Sequence, residues 1–168
     1  GYPLSIIAGR AEIMKRMDEV FVSTTFGGFV PSLVAAIETI KMMQEYGDVH
    51  SHLHAIGEYF MKNANKICAD NKVPVEFFGY GPHPVMKINI KDDYTSRVLK
   101  TFIYQEFNKE GVFFSSSIMF SYLHKKLEID LVFKILNNIC CRLKDIVDFE
   151  ILESELGGEV VAPRTVRN

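Results

Sequence analysis

The chain has 168 residues, 48% of them apolar and 24% charged, which suits one ordinary domain or a domain joined to part of another and argues against a disordered chain. A formal charge of −2 and a pI near 6.2 give no footprint for nucleic acid or an anionic membrane as partner. Charged residues interrupt every apolar stretch short of the roughly 20 residues that span a bilayer, the opening Gly1-Tyr2-Pro3-Leu4-Ser5 lacks the features of a secretion signal, and three cysteines, Cys68 with the adjacent Cys140 and Cys141, suggest no disulfide framework but a reducing cytoplasm.

In chain order, Ser5-Ile6-Ile7-Ala8-Gly9 is short, rich in β-branched residues and bounded by Pro3 and Gly9, the pattern of a buried strand. Residues 11–17 carry good helix formers, and Val20-Phe21-Val22-Ser23 reads as extended chain running into the loop Thr24-Thr25-Phe26-Gly27-Gly28. A strong helix is predicted over residues 31–46: Leu33, Val34, Ile37, Ile40 and Met43 recur at helical spacing, Pro31 suits the first turn and Gly47 the stop. Asp48 can cap a second helix reaching residue 70, with Leu53, Ile56, Phe60, Ala64 and Ile67 on one face.

The pattern then changes. Residues 75–78 and 85–90 read as strands around the turn-rich 79–84, residues 93–108 as a helix ended by Gly111, and Val112-Phe113-Phe114 as a third strand. A last long helix is predicted over residues 127–147, with Leu131, Ile135, Ile139 and Leu143 inward. The tail from Glu150 to Asn168 has weak periodicity and reads as irregular. The change of style near Gly47 divides the chain into residues 1–47 and 48–168. The first part cannot bury its own faces and reads as the end of something larger; the second is a small α+β unit, a short antiparallel sheet covered by helices.

Chemistry is most plausible at Ser23-Thr24-Thr25-Phe26-Gly27-Gly28, where hydroxyls, a glycine turn and a helix start come together. Physics leaves two readings open: an anion site built on free backbone N–H groups, or a loop that merely caps its helix. His50 and His54 share a helix face, but His52 points elsewhere and no carboxylate or thiol completes a ligand set, so no metal is expected. His124 has no nucleophile at a readable spacing, Ser115-Ser116-Ser117 lacks a nucleophile-elbow setting, and Cys140-Cys141 lies inside a helix that must turn one thiol inward.

Gly1-Tyr2-Pro3-Leu4-Ser5-Ile6-Ile7-Ala8-Gly9-Arg10-Ala11-Glu12-Ile13-Met14 resembles the segment that follows the cofactor lysine in class III aminotransferases, above all the glutamate-1-semialdehyde aminomutase-like members. Phe21-Val22-Ser23-Thr24-Thr25-Phe26-Gly27-Gly28 resembles their phosphate loop, and Ser32-Leu33-Val34-Ala35-Ala36 the helix behind it. Further on, Gly111-Val112-Phe113-Phe114 and the stretch from Tyr122 to Asp130 resemble the last strand, loop and helix start of the small domain. The resemblance implies the C-terminal portion of an α/β enzyme of the fold type I transferases that use pyridoxal 5′-phosphate. Residues 1–47 would end the large cofactor-binding domain and residues 48–168 form the C-terminal small domain.

It further implies that Thr25 holds the cofactor phosphate, usually that of the neighbouring subunit, with Thr24 assisting, so a homodimer is expected. The Schiff-base lysine and the acidic partner of the pyridine nitrogen are expected ahead of Gly1, leaving no catalytic residue here and an inactive chain on its own. Amino donors and acceptors such as a semialdehyde, a keto acid or a keto-sugar are the implied substrates. Phe29 departs from the acidic or small polar residue common after the two glycines, and His83, in Gly81-Pro82-His83-Pro84, stands where relatives often carry a carboxylate-binding arginine. The competing reading is a non-catalytic α+β interaction module from a truncated gene, which self-associates through bare apolar surface.

Overall fold

A computed structural model of the chain describes residues 1–23, 25–145 and 149–162. The chain forms two compact units, Gly1–Val49 and His50–Asn168.

The first unit contains helix α1 (Ala11–Met14), a 3-10 segment (Lys15–Glu19) and helix α2 (Val30–Glu45). Residues 5–9 and 20–23 are not strands: they join no ladder among the described residues, and Ile6 and Phe21 are 72% and 94% exposed. β-branched sequence favours an extended backbone, but a strand exists only with a neighbour to bond. The helical stripe of α2 forms as expected from its spacing, yet Leu33, Val34, Ile37 and Ile40 all remain exposed.

The second unit contains α3 (Val49–Asp70), β1 (Val75–Tyr80), β2 (His83–Ile88), α4 (Asp93–Lys109), α5 (Lys126–Asp145) and α6 (Phe149–Ser154). Its core is one cluster that includes Ile56, Phe60 and Ala64 of α3, Phe102 and Phe107 of α4, and Ile135, Leu136 and Ile139 of α5. β1 and β2 pair antiparallel in a two-stranded sheet, with Phe77 opposite Met86 and Tyr80 opposite His83. Period-two alternation turns Val75, Phe77 and Met86 to the core. The Asn65 side chain closes the backbone of Phe77, donating to its carbonyl (2.8 Å) and accepting from its N–H (2.7 Å). α3 approaches the hairpin turn so closely that a Cβ on Gly57 would lie 1.7 Å from the Gly81 carbonyl oxygen.

The third extended segment is displaced. Residues 112–114 are not a strand; Gly111 takes φ +76° and the Val112 N–H returns to the Phe107 carbonyl (2.9 Å), as a helix terminator does. Only after this turn does the chain reach β2, where Met86 donates to Ser116 (2.8 Å), and Ile118 and Phe120 donate to Pro84 (3.0 Å) and Pro82 (3.1 Å). α4 opens on Asp92, whose carboxylate accepts from the Thr95 N–H at 2.7 Å, and that bond holds its carboxyl below the usual range.

In α5, Leu131 was expected inside but is 52% exposed; the buried arc runs through Ile129, Ile135, Leu136, Ile139 and Cys140 instead. The tail is less irregular than its composition implies. α6 buries Leu152, and the chain beyond it follows α4, with Gln105 accepting from the Gly157 N–H (2.6 Å), Thr101 from the Val161 N–H (3.0 Å) and Arg97 donating to the Val161 carbonyl (3.1 Å).

Glu106 is a buried charge of this unit. Burial opposes its ionisation, but hydrogen bonds from Lys109 and Gln105 and the charges of Arg142 and Lys109 prevail, so its carboxyl is held below the usual range. Arg142 also pairs with Glu155 (2.6 Å) and lies over the Phe102 ring.

Candidate functional site

The sequence predicts a site where extended chain passes through a glycine turn into α2. Residues 26–29 form that turn: the Phe29 N–H donates to the Phe26 carbonyl at 3.1 Å, and Gly28 takes φ +82° with nothing near the position of an added Cβ. A side chain at Gly28 would meet backbone strain rather than a steric wall. Thr25 is exposed just before the turn. Thr24 lies outside the described residues.

The helix start beyond the turn is electrically open. Phe29 occupies the N-cap of α2 and supplies no side-chain cap, and the first turn holds no acidic residue. An uncapped helix N-terminus carries a partial positive charge and backbone donors that favour an anion. The residues present therefore fit a phosphate group: an exposed hydroxyl, a turn with space at Gly28 and a helix start that no carboxylate of its own neutralises. Pro31 has no N–H, and the Ser32 and Leu33 N–H groups already donate to the Phe29 carbonyl (3.0 and 3.4 Å), so the helix start offers the Val30 N–H.

One contact here escaped the sequence reading. Ser32 is buried, and its hydroxyl donates to the Pro3 carbonyl at 2.7 Å, tying the first turn of α2 to the Gly1-Tyr2-Pro3 segment. A serine after Pro31 at a helix start was the only signal, and it reads equally well as a local cap. The bond brings together two of the stretches that carry the family resemblance.

The other candidates disperse. His52 donates to the His124 carbonyl (3.2 Å), His54 pairs with the Tyr80 hydroxyl (3.0 Å), and His50 is exposed; the described residues contain no cluster that could hold a metal. His124 accepts from the Ser121 N–H through Nδ1 (3.1 Å), which shapes the turn before α5. His83 is exposed and lies 2.7 Å from the Ser117 hydroxyl, while Ser115 donates to the Ser117 carbonyl (2.6 Å). Cys140 is the inward member of its pair and meets Cys68 in the core; the bond to Cys68, together with burial, pushes the Cys140 thiol up. Cys141 is exposed. No helix among the described residues is long and apolar enough to cross a membrane.

No family model matches the chain. A stretch of 114 residues, 67% of the chain, is 29% identical to a 3-aminobutyryl-CoA aminotransferase of Cloacimonas acidaminovorans, of which it covers 27%. Another of 73 residues, 42% of the chain, is 32% identical to a glutamate-1-semialdehyde 2,1-aminomutase of Haloarcula marismortui, of which it covers 16%. An omega-transaminase from Sphaerobacter thermophilus superimposes on 56% of the chain with a TM-score of 0.51, using 24% of its own length at 11% identity, which speaks to fold alone. The chain thus matches about a quarter or less of each relative's length.

Proposed function

Taking the chain as a partial region similar to class III, pyridoxal-phosphate-dependent aminotransferases, we propose that it supplies the phosphate-gripping turn and the small domain of an aminotransferase or aminomutase. The observation that carries this reading is the open, uncapped start of α2 beside Thr25, at the place the resemblance gives to the cofactor phosphate. The Thr25 hydroxyl and the backbone N–H groups of the turn would hold that phosphate, with Thr24 beside them. When bound, the cofactor supplies the electron sink for amino transfer. Ser32 is a positioning residue: through Pro3 it fixes the angle at which the Gly-Tyr-Pro segment leaves the helix.

Residues 1–47 would close the large domain and residues 48–168 form the small one. None of the lysines stands where the resemblance puts the cofactor lysine, so this region's share is binding rather than bond-making. Substrates would be an amino donor with a semialdehyde, keto acid or keto-sugar. His83 lacks the two-pronged grip of arginine and is already engaged with Ser117, which favours no role in substrate binding over an acceptor without a carboxylate at this position. Free thiols at Cys68, Cys140 and Cys141 suit a reducing cytoplasm.

Pyridoxamine 5′-phosphate tests the turn without forming adducts on surface lysines. Backbone amide resonances of Thr25, Gly27, Gly28 and Val30 are expected to move with the phosphate ester and stay still with pyridoxamine. Thr25→Ala should weaken binding about tenfold, the worth of one hydrogen bond to a charged group. Equal shifts with the phosphate-free amine, or an unchanged affinity in the variant, would remove the reading.

A second reading has its own observation. The exposed Leu33, Val34, Ile37 and Ile40 of α2 form an apolar stripe in a unit where, among the described residues, only Ser32 and Val49 are buried, and a surface of that kind calls for a cover. In the enzyme reading the cover is further chain and a second subunit, giving a homodimer. In the module reading it is a second copy of these residues alone. Sedimentation separates them: a tight dimer of the chain that ignores pyridoxamine 5′-phosphate favours the module.

A further inference from the structure

Two thiols that the phosphate turn does not use meet in the core of the second unit. Cys68, in the last turn of α3, and Cys140, on α5, are each 1% exposed and belong to one buried cluster. Both are free, and the Cys140 S–H donates to the Cys68 sulfur. Ala64 and Leu136, one helical turn before each cysteine, lie in the same cluster. A thiol packs in such a place as a small hydrophobe. What two sulfurs in contact across two helices add to packing is redox chemistry.

Cys141 follows Cys140 but faces another way. It is exposed, its sulfur lies 3.6 Å from Asn71 Oδ1, and Asn137 Nδ2 donates to it at 3.9 Å. Successive helical positions point about 100° apart, so Cys140 and Cys141 cannot meet without unwinding α5. The bond from Cys140 favours ionisation of Cys68 and disfavours that of Cys140, while burial opposes both. Cys68 is therefore the attacking sulfur, and Cys140 the one that resolves.

We propose that Cys68 and Cys140 form a peroxide-responsive thiol pair, which closes to a disulfide that staples α3 to α5. The Cys68 sulfur attacks one oxygen of hydrogen peroxide and the O–O bond breaks. The departing hydroxide takes the Cys68 proton and leaves as water, and Cys68 becomes a sulfenic acid. The Cys140 sulfur then attacks the Cys68 sulfur, the S–O bond breaks, and a second water carries off the Cys140 proton. Two thiols lose two electrons and two protons, and peroxide becomes two waters. A small thiol reductant, itself converted to its disulfide, reopens the pair. The bond closes a loop of about 70 residues and so restricts the unfolded chain. A pair that oxidises in a reducing compartment acts as a transient sensor rather than as a framework bond.

The test treats the reduced, folded chain with hydrogen peroxide, then unfolds it and labels the remaining thiols with N-ethylmaleimide. All three cysteines should take the label before oxidation and only Cys141 after it, with peptide mapping that links Cys68 to Cys140. The melting midpoint should rise by about 5 °C or more on oxidation and return with dithiothreitol. Cys141→Ser should keep both the link and the shift. Cys68→Ala should lose both; should that variant fail to fold, the peptide map of the parent chain and of Cys141→Ser decides. In urea, where the contact is gone, the selectivity should vanish and links through Cys141 appear. The proposal is overturned by full labelling after oxidation, by a link through Cys141 in the folded chain, by a cross-linked dimer, or by a midpoint that does not move.

Discussion

Phe60, Phe102 and Phe107 in the second unit have lost essentially all contact with water, while Phe21 in the first stands 94% exposed with Ile6 and Ile7 close behind. The two regions are similarly rich in apolar residues, so composition does not separate them. What separates them is a facing layer. In the second unit α3, α4 and α5 close over a hairpin; in the first, Leu33, Val34, Ile37 and Ile40 of α2 stay exposed. The buried apolar core of the described residues therefore lies beyond residue 49, while the first unit relies on the local Phe29–Phe26 bond of the turn and the long-range tie from Ser32 to Pro3.

The sharpest way to break this contrast is to truncate one residue in each unit. Phe102→Ala should cost about 4 kcal/mol, because the ring is fully buried and the space cannot collapse. Ile37→Ala, on a half-exposed face, should shift stability by less than about 0.5 kcal/mol. Urea unfolding followed by far-ultraviolet circular dichroism reads both, and comparable losses would show a shared core.

Gly57→Ala comes next, at about 3 kcal/mol, since the new methyl would meet the Gly81 carbonyl oxygen and one of the two backbones must retreat. Thermal unfolding measures it, and an unchanged midpoint would mean that α3 and the turn can part without penalty.

Glu106 gives a smaller and pH-dependent effect. Its carboxyl is held below the usual range in the folded state, so its share of stability is complete near neutrality. That share begins to drain as the pH falls past the ordinary glutamate value of about 4.3 and is gone below the folded value. Glu106→Gln should cost about 1 kcal/mol at pH 7, by removing the shared partner of the half-exposed Arg142 and Lys109 while Arg142 keeps Glu155, and should flatten the acid limb of stability against pH.

Much of this fold is legible in the sequence, because helices announce themselves through spacing that needs no partner. The stripes of α2 and α3, the glycines after α2 and α4 and the hairpin between residues 75 and 88 all follow from local pattern. The errors share a cause. Residues 5–9 and 20–23 read as strands on β-branched content, but pairing depends on a neighbour that local sequence does not specify. The third extended segment is displaced from 112–114 to 116–120 because Gly111 spends the intervening residues on ending α4. Leu131 was placed inward because its spacing from Ile135 is right, while the true arc is set by which side of α5 meets α3 and α4. At the candidate site, hydroxyls and glycines beside a helix start are readable, and the bond from Ser32 back to Pro3 is not, since it joins residues 29 apart.

The tail that runs beside α4 has a metrical consequence. Positions 97, 101 and 105 form one row along the helix, and the returning chain meets that row at Gly157 and Val161. Gly157 and Val161 give their N–H groups to Gln105 and Thr101, four helical residues or about 6 Å apart, while four residues of stretched chain reach about 13 Å, so this stretch runs with slack. Removing a single residue between Gly157 and Val161 would straighten the chain without pulling it off the row. Side-chain identity at positions 97, 101 and 105, more than length, is what that docking must preserve.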